Sequence, residues 1–280
     1  MPTFALDANS AAILAGVLVI ASLALRRSRR RWSSVASATT FEAALVFALF
    51  ALWQEANALT HTHTAGGLAH GRAIWAAERW LHVPSETSMQ HLILGHRIVV
   101  QFANIYYAAA HVPGMIIFLI WLWCRHRDRY AHWRNVMVLF TAMALLIETI
   151  PVAPPRLIGH TGLVDTAIAY GQSVYGFVGS SFADQCAALP SIHVGWAALI
   201  AVAVVRCGRG WARWVVAIGH GVGTFLVVVV TANHYWLDGV SALVVLALAY
   251  AGERALRPIT ARVRLLLVRP VAQIQQGALS

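Results

Sequence analysis

The amino-acid sequence predicts an all-α fold, a polytopic bundle of membrane helices, and three observations support this prediction. Hydrophobic residues make up 59% of the chain and charged residues 11%, with a mean hydropathy of +0.65, whereas soluble proteins carry about 25% charged residues. Seven apolar runs approach or exceed the length of about 20 residues that crosses a bilayer core. The basic residues are all arginines, and most of them cluster between these runs.

The apolar runs define the expected transmembrane helices, and we expect one helix in each. The first run is not expected to be a cleavable signal peptide, because residues 1–10 carry no positive charge and arginines follow the run instead of preceding it. The seven runs cover residues 10–25, 40–59, 97–123, 135–151, 191–206, 213–231 and 236–254.

The arginine clusters predict the orientation of the chain. They follow the first, third, fifth and seventh runs, so a chain that crosses once per run places all of them on one side of the membrane. By the positive-inside rule that side is the cytoplasm, and the C-terminus is expected there. The clusters contain Arg26, Arg27, Arg29, Arg30, Arg31, Arg125, Arg127, Arg129, Arg134, Arg206, Arg209, Arg213, Arg254, Arg257, Arg262, Arg264 and Arg269.

We expect three parts along the chain. Residues 1–39 form an N-terminal transmembrane helix and an arginine-rich cytoplasmic loop. Residues 40–254 form a membrane domain of six helices. Residues 255–280 form a basic cytoplasmic tail, amphipathic or frayed.

The outer segment 60–96 is rich in polar residues and histidine. Its apolar residues predict an amphipathic helix that lies on the membrane surface. Its histidines could bind a metal, although a solvated segment without nearby cysteines is a poor scaffold for one. The apolar residues are Ile74, Trp75, Trp80 and Leu81, and the histidines are His61, His63 and His70.

Three polar stretches, far apart in the sequence, are expected at the outer ends of helices: "PVAPPRLIG", "LPSIH" and "TANHYWLDGV". Pro190 suits a helix start. Ser191 and His193 are therefore expected in a first turn, whose free N–H groups and positive dipole end favour an anion such as phosphate. Arg156 in the first stretch can add a planar, permanently charged guanidinium that matches phosphate oxygens.

The third stretch places His234 four residues before Asp238, on one face if the segment is helical. A carboxylate bonded to one ring nitrogen fixes the tautomer and leaves the other nitrogen free as a base or nucleophile. One histidine oriented by an acid and a second at an anion-binding turn are what phosphoryl transfer through a phosphohistidine needs. The first attacks phosphorus, and the second protonates the leaving oxygen.

These residues resemble the phosphatidic acid phosphatase type 2 superfamily, whose second motif is PSGH and whose third motif ends in HxxxD. Pro190 to His193 correspond to the second motif, with Ile192 in place of its glycine, and His234 to Asp238 match the end of the third. The resemblance implies that His234 is the nucleophile, Asp238 its partner and His193 the general acid, with Arg156 and Ser191 as phosphate ligands. It covers about residues 40–254, as a six-helix phosphatase core with one N-terminal transmembrane helix added.

The chain departs from the first motif of that superfamily, KxxxxxxRP. Thr149 stands where the motif has lysine, and Leu157 where it has proline. The forms "APPR", "PSxHxGWA" and "NHYxxD" resemble instead the branch that contains inositol phosphorylceramide synthases and their actinobacterial relatives. That branch includes transferases, so water need not be the acceptor.

The stretch "NIYYAAAH" in the third run supports the same branch. Its polar members share one helix face and are expected to line the head-group or acceptor pocket, although hydrogen bonds between helices explain them equally well. Two further residues flank the expected pocket and could hold an acceptor hydroxyl or the leaving group. The polar members of the stretch are Asn104, Tyr107 and His111, and the two flanking residues are Asp165 and Asn233.

The sequence thus predicts a membrane-embedded lipid phosphatase or phosphotransferase, in a bacterial plasma membrane, with an extracytoplasmic site. It would act on a lipid phosphoester or diphosphate and need no metal or other cofactor. The acceptor could be water, inositol or another polyol, or a lipid hydroxyl. Nucleic acid is not an expected partner, because the arginines follow a membrane pattern. The alternatives are a strict lipid or polyprenyl phosphate phosphatase and, outside enzymes, a haem-binding electron carrier or a transporter.

Overall fold

The protein is built from helices, which confirms the predicted all-α class. The computed structural model describes the backbone of residues 7–28, 32–60, 66–172 and 185–277, with side chains except those of 56–60 and 259–277. Within these ranges the helices are α1 (Ala8–Arg27), α2 (Ser33–Thr60), α3 (Gly67–Trp80), α4 (Glu86–Leu94), α5 (Arg97–Ala109), α6 (His111–Arg125), α7 (Arg127–Glu148), α8 (Thr166–Ala169), α9 (Ile192–Cys207), α10 (Ala212–Val230) and α11 (Trp236–Gly277).

Each predicted apolar run falls mainly on helical residues, six of them on one helix and the run 97–123 on two. Five stretches of the described chain are long and apolar enough to cross a membrane: α1, Ser33–Glu55 of α2, α7, α10 and Trp236–Pro258 of α11. The bent pair α5 and α6 makes a sixth if it counts as one span. The apolar helix α9 has 16 residues and is shorter than these spans.

The third predicted helix is broken, which the hydrophobic pattern did not anticipate. The axis bends by 55° between α5 and α6. Pro113 explains the break, because proline has no N–H for a helical bond and its ring clashes with the carbonyl four residues earlier, at Ala109. Helix α5 ends at that residue. The bend places His111 at the first position of α6.

The main core lies among α6, α7, α9, α10 and α11. Phe140 of α7 is fully buried there and packs where α9 carries Gly195. A Cβ atom at Gly195 would lie 1.9 Å from Phe140 Cζ, so glycine allows this close contact. Small residues at helix contacts are typical of membrane bundles. This contact fixes the position of α9 at Gly195, about half a helical turn after His193.

The outer segment forms two helices, α3 and α4, where one amphipathic helix was expected. Ile74 and Trp75 pack against a second, small core, whose members are Val152, Ala153, Ile158, Cys186, Ala188 and Tyr235. Trp80 and Leu81 are exposed. Helix α3 therefore packs on the loops that carry the three polar stretches.

Candidate active site

Backbone hydrogen bonds join the three polar stretches into one unit. Val152 donates to the Cys186 carbonyl (2.7 Å) and accepts from the Ala188 N–H (3.1 Å). Arg156 N–H donates to the Ala232 carbonyl (3.1 Å), and Ser191 N–H donates to the Asp238 carbonyl (3.2 Å). Because these bonds involve no side chain, residues remote in the sequence are held together by the chain path itself.

Ser191 begins α9 as its N-cap. Its hydroxyl accepts the Val194 N–H at 3.3 Å, and the residue is fully buried. A serine cap uses one lone pair for the helix and retains a second lone pair and a proton. His193 occupies the second helical position, where first-turn N–H groups have no partner within the helix.

His234 lies just before α11, and both ring nitrogens can be assigned. Nδ1 lies 2.8 Å from the Ala188 carbonyl and 3.4 Å from Asp238 Oδ2. A carbonyl oxygen only accepts, so Nδ1 carries the proton and Nε2 keeps the lone pair. The predicted partner Asp238 is in place, but a backbone carbonyl makes the shorter contact.

Four aromatic rings gather at this point. The ring centroid of His193 lies 5.7 Å from that of His234, 4.5 Å from that of Tyr107 and 4.1 Å from that of His111. Tyr107 also approaches His234 at 6.4 Å. The two histidine rings are therefore near neighbours. Tyr107 and His111, predicted as pocket residues, line the same space.

Arg156 contacts the residues that precede His234, and its side chain is only 2% exposed. Nη1 donates to Asn233 Oδ1 (2.5 Å) and Nη2 donates to Gln185 Oε1 (3.0 Å), while Asp165 Oδ2 lies 3.2 Å from Nε. These contacts fix the plane of the guanidinium, whose five N–H groups can serve several acceptors at once. Asp165 and Asn233, predicted to contact an acceptor or leaving group, hold the arginine.

Asn104 has a different setting from Tyr107 and His111. Its amide donates to the Thr166 carbonyl (3.1 Å) and to Gln172 Oε1 (3.1 Å), and its oxygen accepts from the Thr166 hydroxyl (2.8 Å). These bonds tie α5 to α8 in the loop that carries Asp165. The structure thus places Asn104 in the support of this loop and not among the stacked rings.

The departures from the family's first motif have simple settings. Thr149 stands where the motif has a lysine. Its hydroxyl donates to the Leu146 carbonyl at 2.7 Å, so the side chain is bonded to the backbone of the preceding helix, α7. Leu157 packs against the small core and lies in a short 3₁₀ turn, Pro155–Leu157, beside Arg156.

Sequence reasoning missed several groups of this site. The carbonyl of Ala188 and the amide of Gln185 carry no recognisable motif. Glu78 of α3 also reaches the start of α11, where its Oε1 accepts the Leu237 N–H (2.8 Å). A signal for Glu78 was present, because it lies four residues after Ile74 and so falls on the apolar face of its helix.

The histidines of the outer segment do not form a described cluster. His61 and His63 lie outside the described residues, and His70 Nδ1 pairs with the Pro151 carbonyl at 2.8 Å. Within the part of the chain that the structure describes, no group of three histidine, cysteine, aspartate or glutamate side chains could hold a metal ion.

Replacing Gly71 with alanine is expected to destabilise the protein. A Cβ atom there would lie 2.6 Å from the Ala153 carbonyl oxygen and 2.9 Å from the Tyr235 hydroxyl. That hydroxyl donates a hydrogen bond of 2.9 Å to the same carbonyl. Overpacking of this kind costs about 1–3 kcal/mol. Thermal unfolding in detergent should show a lower midpoint for Gly71→Ala. The matched control is Gly219→Ala in α10, which meets nothing within 4 Å; equal midpoints for the two variants would contradict this packing.

Comparison with known proteins places the chain in a family. Neither the curated proteins nor the solved structures contain a match to it. The family model described as the PAP2 superfamily, the phosphatidic acid phosphatase type 2 superfamily, matches residues 72–252. The match starts inside α3, ends inside α11 and includes all three polar stretches. The chain belongs to the PAP2 superfamily.

Proposed function

We propose that the protein is a membrane-embedded lipid phosphatase or phosphotransferase that works through a phosphohistidine at His234. Membership of the PAP2 superfamily supports a phosphohydrolase-type enzyme with a phosphate-ester substrate. The proposal is carried by one observation: the rings of His193 and His234 lie 5.7 Å apart, and Arg156 is bonded to Asn233, the residue before His234. Family membership favours this function over a haem carrier or a transporter.

In the proposed first step, Nε2 of His234 attacks phosphorus while the bond from phosphorus to the leaving oxygen breaks. Protonated His193 gives its proton to that oxygen. Arg156 and the first-turn N–H groups of α9 stabilise the negative charge on the other phosphate oxygens. Asp238 and the Ala188 carbonyl hold the Nδ1 proton and so stabilise the positive charge that develops on the attacking ring.

In the second step, water or an acceptor hydroxyl attacks phosphorus and the bond to Nε2 breaks. His193, now neutral, takes the proton of the attacking oxygen and returns to its starting state. Water as acceptor releases inorganic phosphate. A polyol such as inositol, or a lipid hydroxyl, yields a new phosphoester, as expected for the inositol phosphorylceramide synthase-like branch.

We further propose that the site opens at the extracytoplasmic face of a bacterial plasma membrane. The arginine clusters lie at the opposite ends of the helices that carry the site, which supports this orientation by the positive-inside rule. The apolar helices support a lipid substrate, since they are long enough to embed the site in a bilayer.

Product analysis tests the proposed chemistry and its acceptor. The purified protein in detergent is given a labelled phospholipid or polyprenyl phosphate, with and without inositol. Release of inorganic phosphate without an acceptor identifies a hydrolase, and a labelled phosphoester formed only with inositol identifies a transferase. Failure to cleave any of these substrates, in a protein shown to be folded, would contradict both forms.

A further inference from the structure

The start of α11 is capped by a side chain from another helix. Asp238, the third residue of α11, reaches back so that its Oδ2 accepts the Tyr235 N–H at 2.9 Å, which is half of a capping box. The other half needs a side-chain acceptor just before the helix. Tyr235 does not supply it, because its hydroxyl donates to the Ala153 carbonyl. Glu78 of α3 instead accepts the Leu237 N–H at 2.8 Å.

Glu78 is one of two adjacent buried carboxyl groups. Glu78 and Glu86 are both 0% exposed, and their side chains are hydrogen-bonding neighbours. On Glu86, Oε2 accepts from Arg79 Nη2 at 3.0 Å. The remaining oxygens, Glu78 Oε2 and Glu86 Oε1, are buried and find no donor among the described residues. Two ionised carboxylates cannot face each other in this way, so a proton lies between them.

The surroundings decide which carboxyl group holds that proton. Glu86 pairs with the Arg79 guanidinium at 3.0 Å, whereas Glu78 has only a backbone N–H on its other oxygen. Asp238 and Tyr235 of the third stretch also face Glu78. Burial, followed by the contact with Glu86, raises the pKa of Glu78 to about 9, although the Leu237 N–H acts in the opposite direction.

We propose that Glu78 is a positioning residue that works in its protonated form, donating to Glu86 and capping α11, and so holds Asp238 behind His234. Asp238 follows the capped Leu237 directly, and its carboxylate faces the ring of His234. Loss of the cap lets the first turn of α11 move, and the nucleophile loses its orientation. The kinetic consequence rests on the proposed function, but the protonation of Glu78 does not.

The kinetic test compares Glu78→Gln with Glu78→Leu. Glutamine keeps the acceptor for Leu237 and offers Glu86 an N–H donor, so turnover at neutral pH should stay within about threefold of wild type. Leucine removes the acceptor of the Leu237 N–H, and turnover should fall by about tenfold or more, with KM changed less than kcat. Equal losses in the two variants would overturn the proposal, because Glu78 would then act through its charge.

The proton itself is tested by thermal unfolding of the full chain in detergent from pH 5 to pH 9. The folded state keeps a proton that the unfolded chain releases above the ordinary glutamate pKa, so wild type loses stability as the pH rises through this range. Glu78→Gln lacks this titration. Its midpoint should rise relative to wild type by roughly 2–4 °C or more across the range.

Asp128→Asn is the matched control, because Asp128 is an exposed carboxylate at the start of α7. Its midpoint should follow that of wild type at every pH. A difference in unfolding midpoint between Glu78→Gln and wild type that does not change with pH would overturn the proposal that Glu78 is protonated. The unfolding experiment can be interpreted even if wild type cleaves none of the substrates above. Failure of this inference is therefore distinguishable from failure of the proposed function.

Discussion

Replacing His234 with asparagine is expected to lower turnover by about 10⁴-fold, the largest effect of any single substitution. The variant loses the nitrogen that accepts the phosphoryl group, so neither step of the proposed reaction remains. Substrate binding should change far less, because Arg156 and the first turn of α9 are untouched. The measurement is release of product from a labelled lipid phosphate, with binding followed separately.

A second histidine provides the control for this loss. His91 of α4 is exposed, and His91→Asn should retain wild-type turnover within about twofold, since surface substitutions have small effects. Full turnover in folded His234→Asn would remove His234 as the nucleophile, and with it the assignment of roles to Asp238 and Ala188.

Replacing Arg156 with lysine is expected to lower turnover by about 10²–10³-fold, the usual effect of removing one donor that stabilises transition-state charge. The charge is kept, but the planar guanidinium is lost. In the structure that plane is fixed from two sides, by Asn233 and Gln185. A lysine ammonium cannot bond both of these oxygens and also present parallel N–H groups to phosphate.

The control for this variant is Arg97→Lys, because Arg97 is exposed at the start of α5. It should leave turnover unchanged. Wild-type kinetics for Arg156→Lys would mean that Arg156 acts only as a positive charge or has a purely structural role. Asn233→Ala should reproduce part of the loss, since it frees the guanidinium on one side.

The helical architecture was predictable because apolar runs of this length have few alternatives in a membrane. All seven runs are helical, the third as two helices, and the all-α class is confirmed. The break at Ala110 was missed because hydropathy is continuous from 97 to 123, although Pro113 marks it. The two helices of segment 60–96 were read as one, although Pro84 and the N-cap Ser85 mark the start of the second.

The site could be predicted where side chains carry the chemistry. His193, His234, Asp238 and Arg156 belong to motifs or to stretches of unusual polarity. In the structure His234 lies near His193 and Asp238, and Arg156 is bonded to the neighbouring Asn233. Contacts made by the backbone leave no such trace. The carbonyl that orients His234 belongs to Ala188, but a residue of any type could supply such a carbonyl.

The role of Asn104 shows a second limit. Helical spacing places Asn104, Tyr107 and His111 on one face, but spacing does not say which neighbour each side chain meets. Asn104 hydrogen-bonds to the Thr166 carbonyl, whereas Tyr107 and His111 contact the ring of His193. Glu78 was passed over for a related reason, since its meaning depends on Glu86 and Leu237, which only the fold brings near.

The most direct test of the central claim is to trap the phosphorylated enzyme. The protein is mixed with a lipid phosphate labelled at phosphorus, quenched with base within one turnover and digested, and the labelled peptide is sequenced. Our account predicts an acid-labile label on His234 that is absent from His234→Asn. The label should live longer in His193→Ala, because no base then takes the proton of the attacking oxygen. Rapid turnover with no covalent label, or with the label on any other residue, would contradict it.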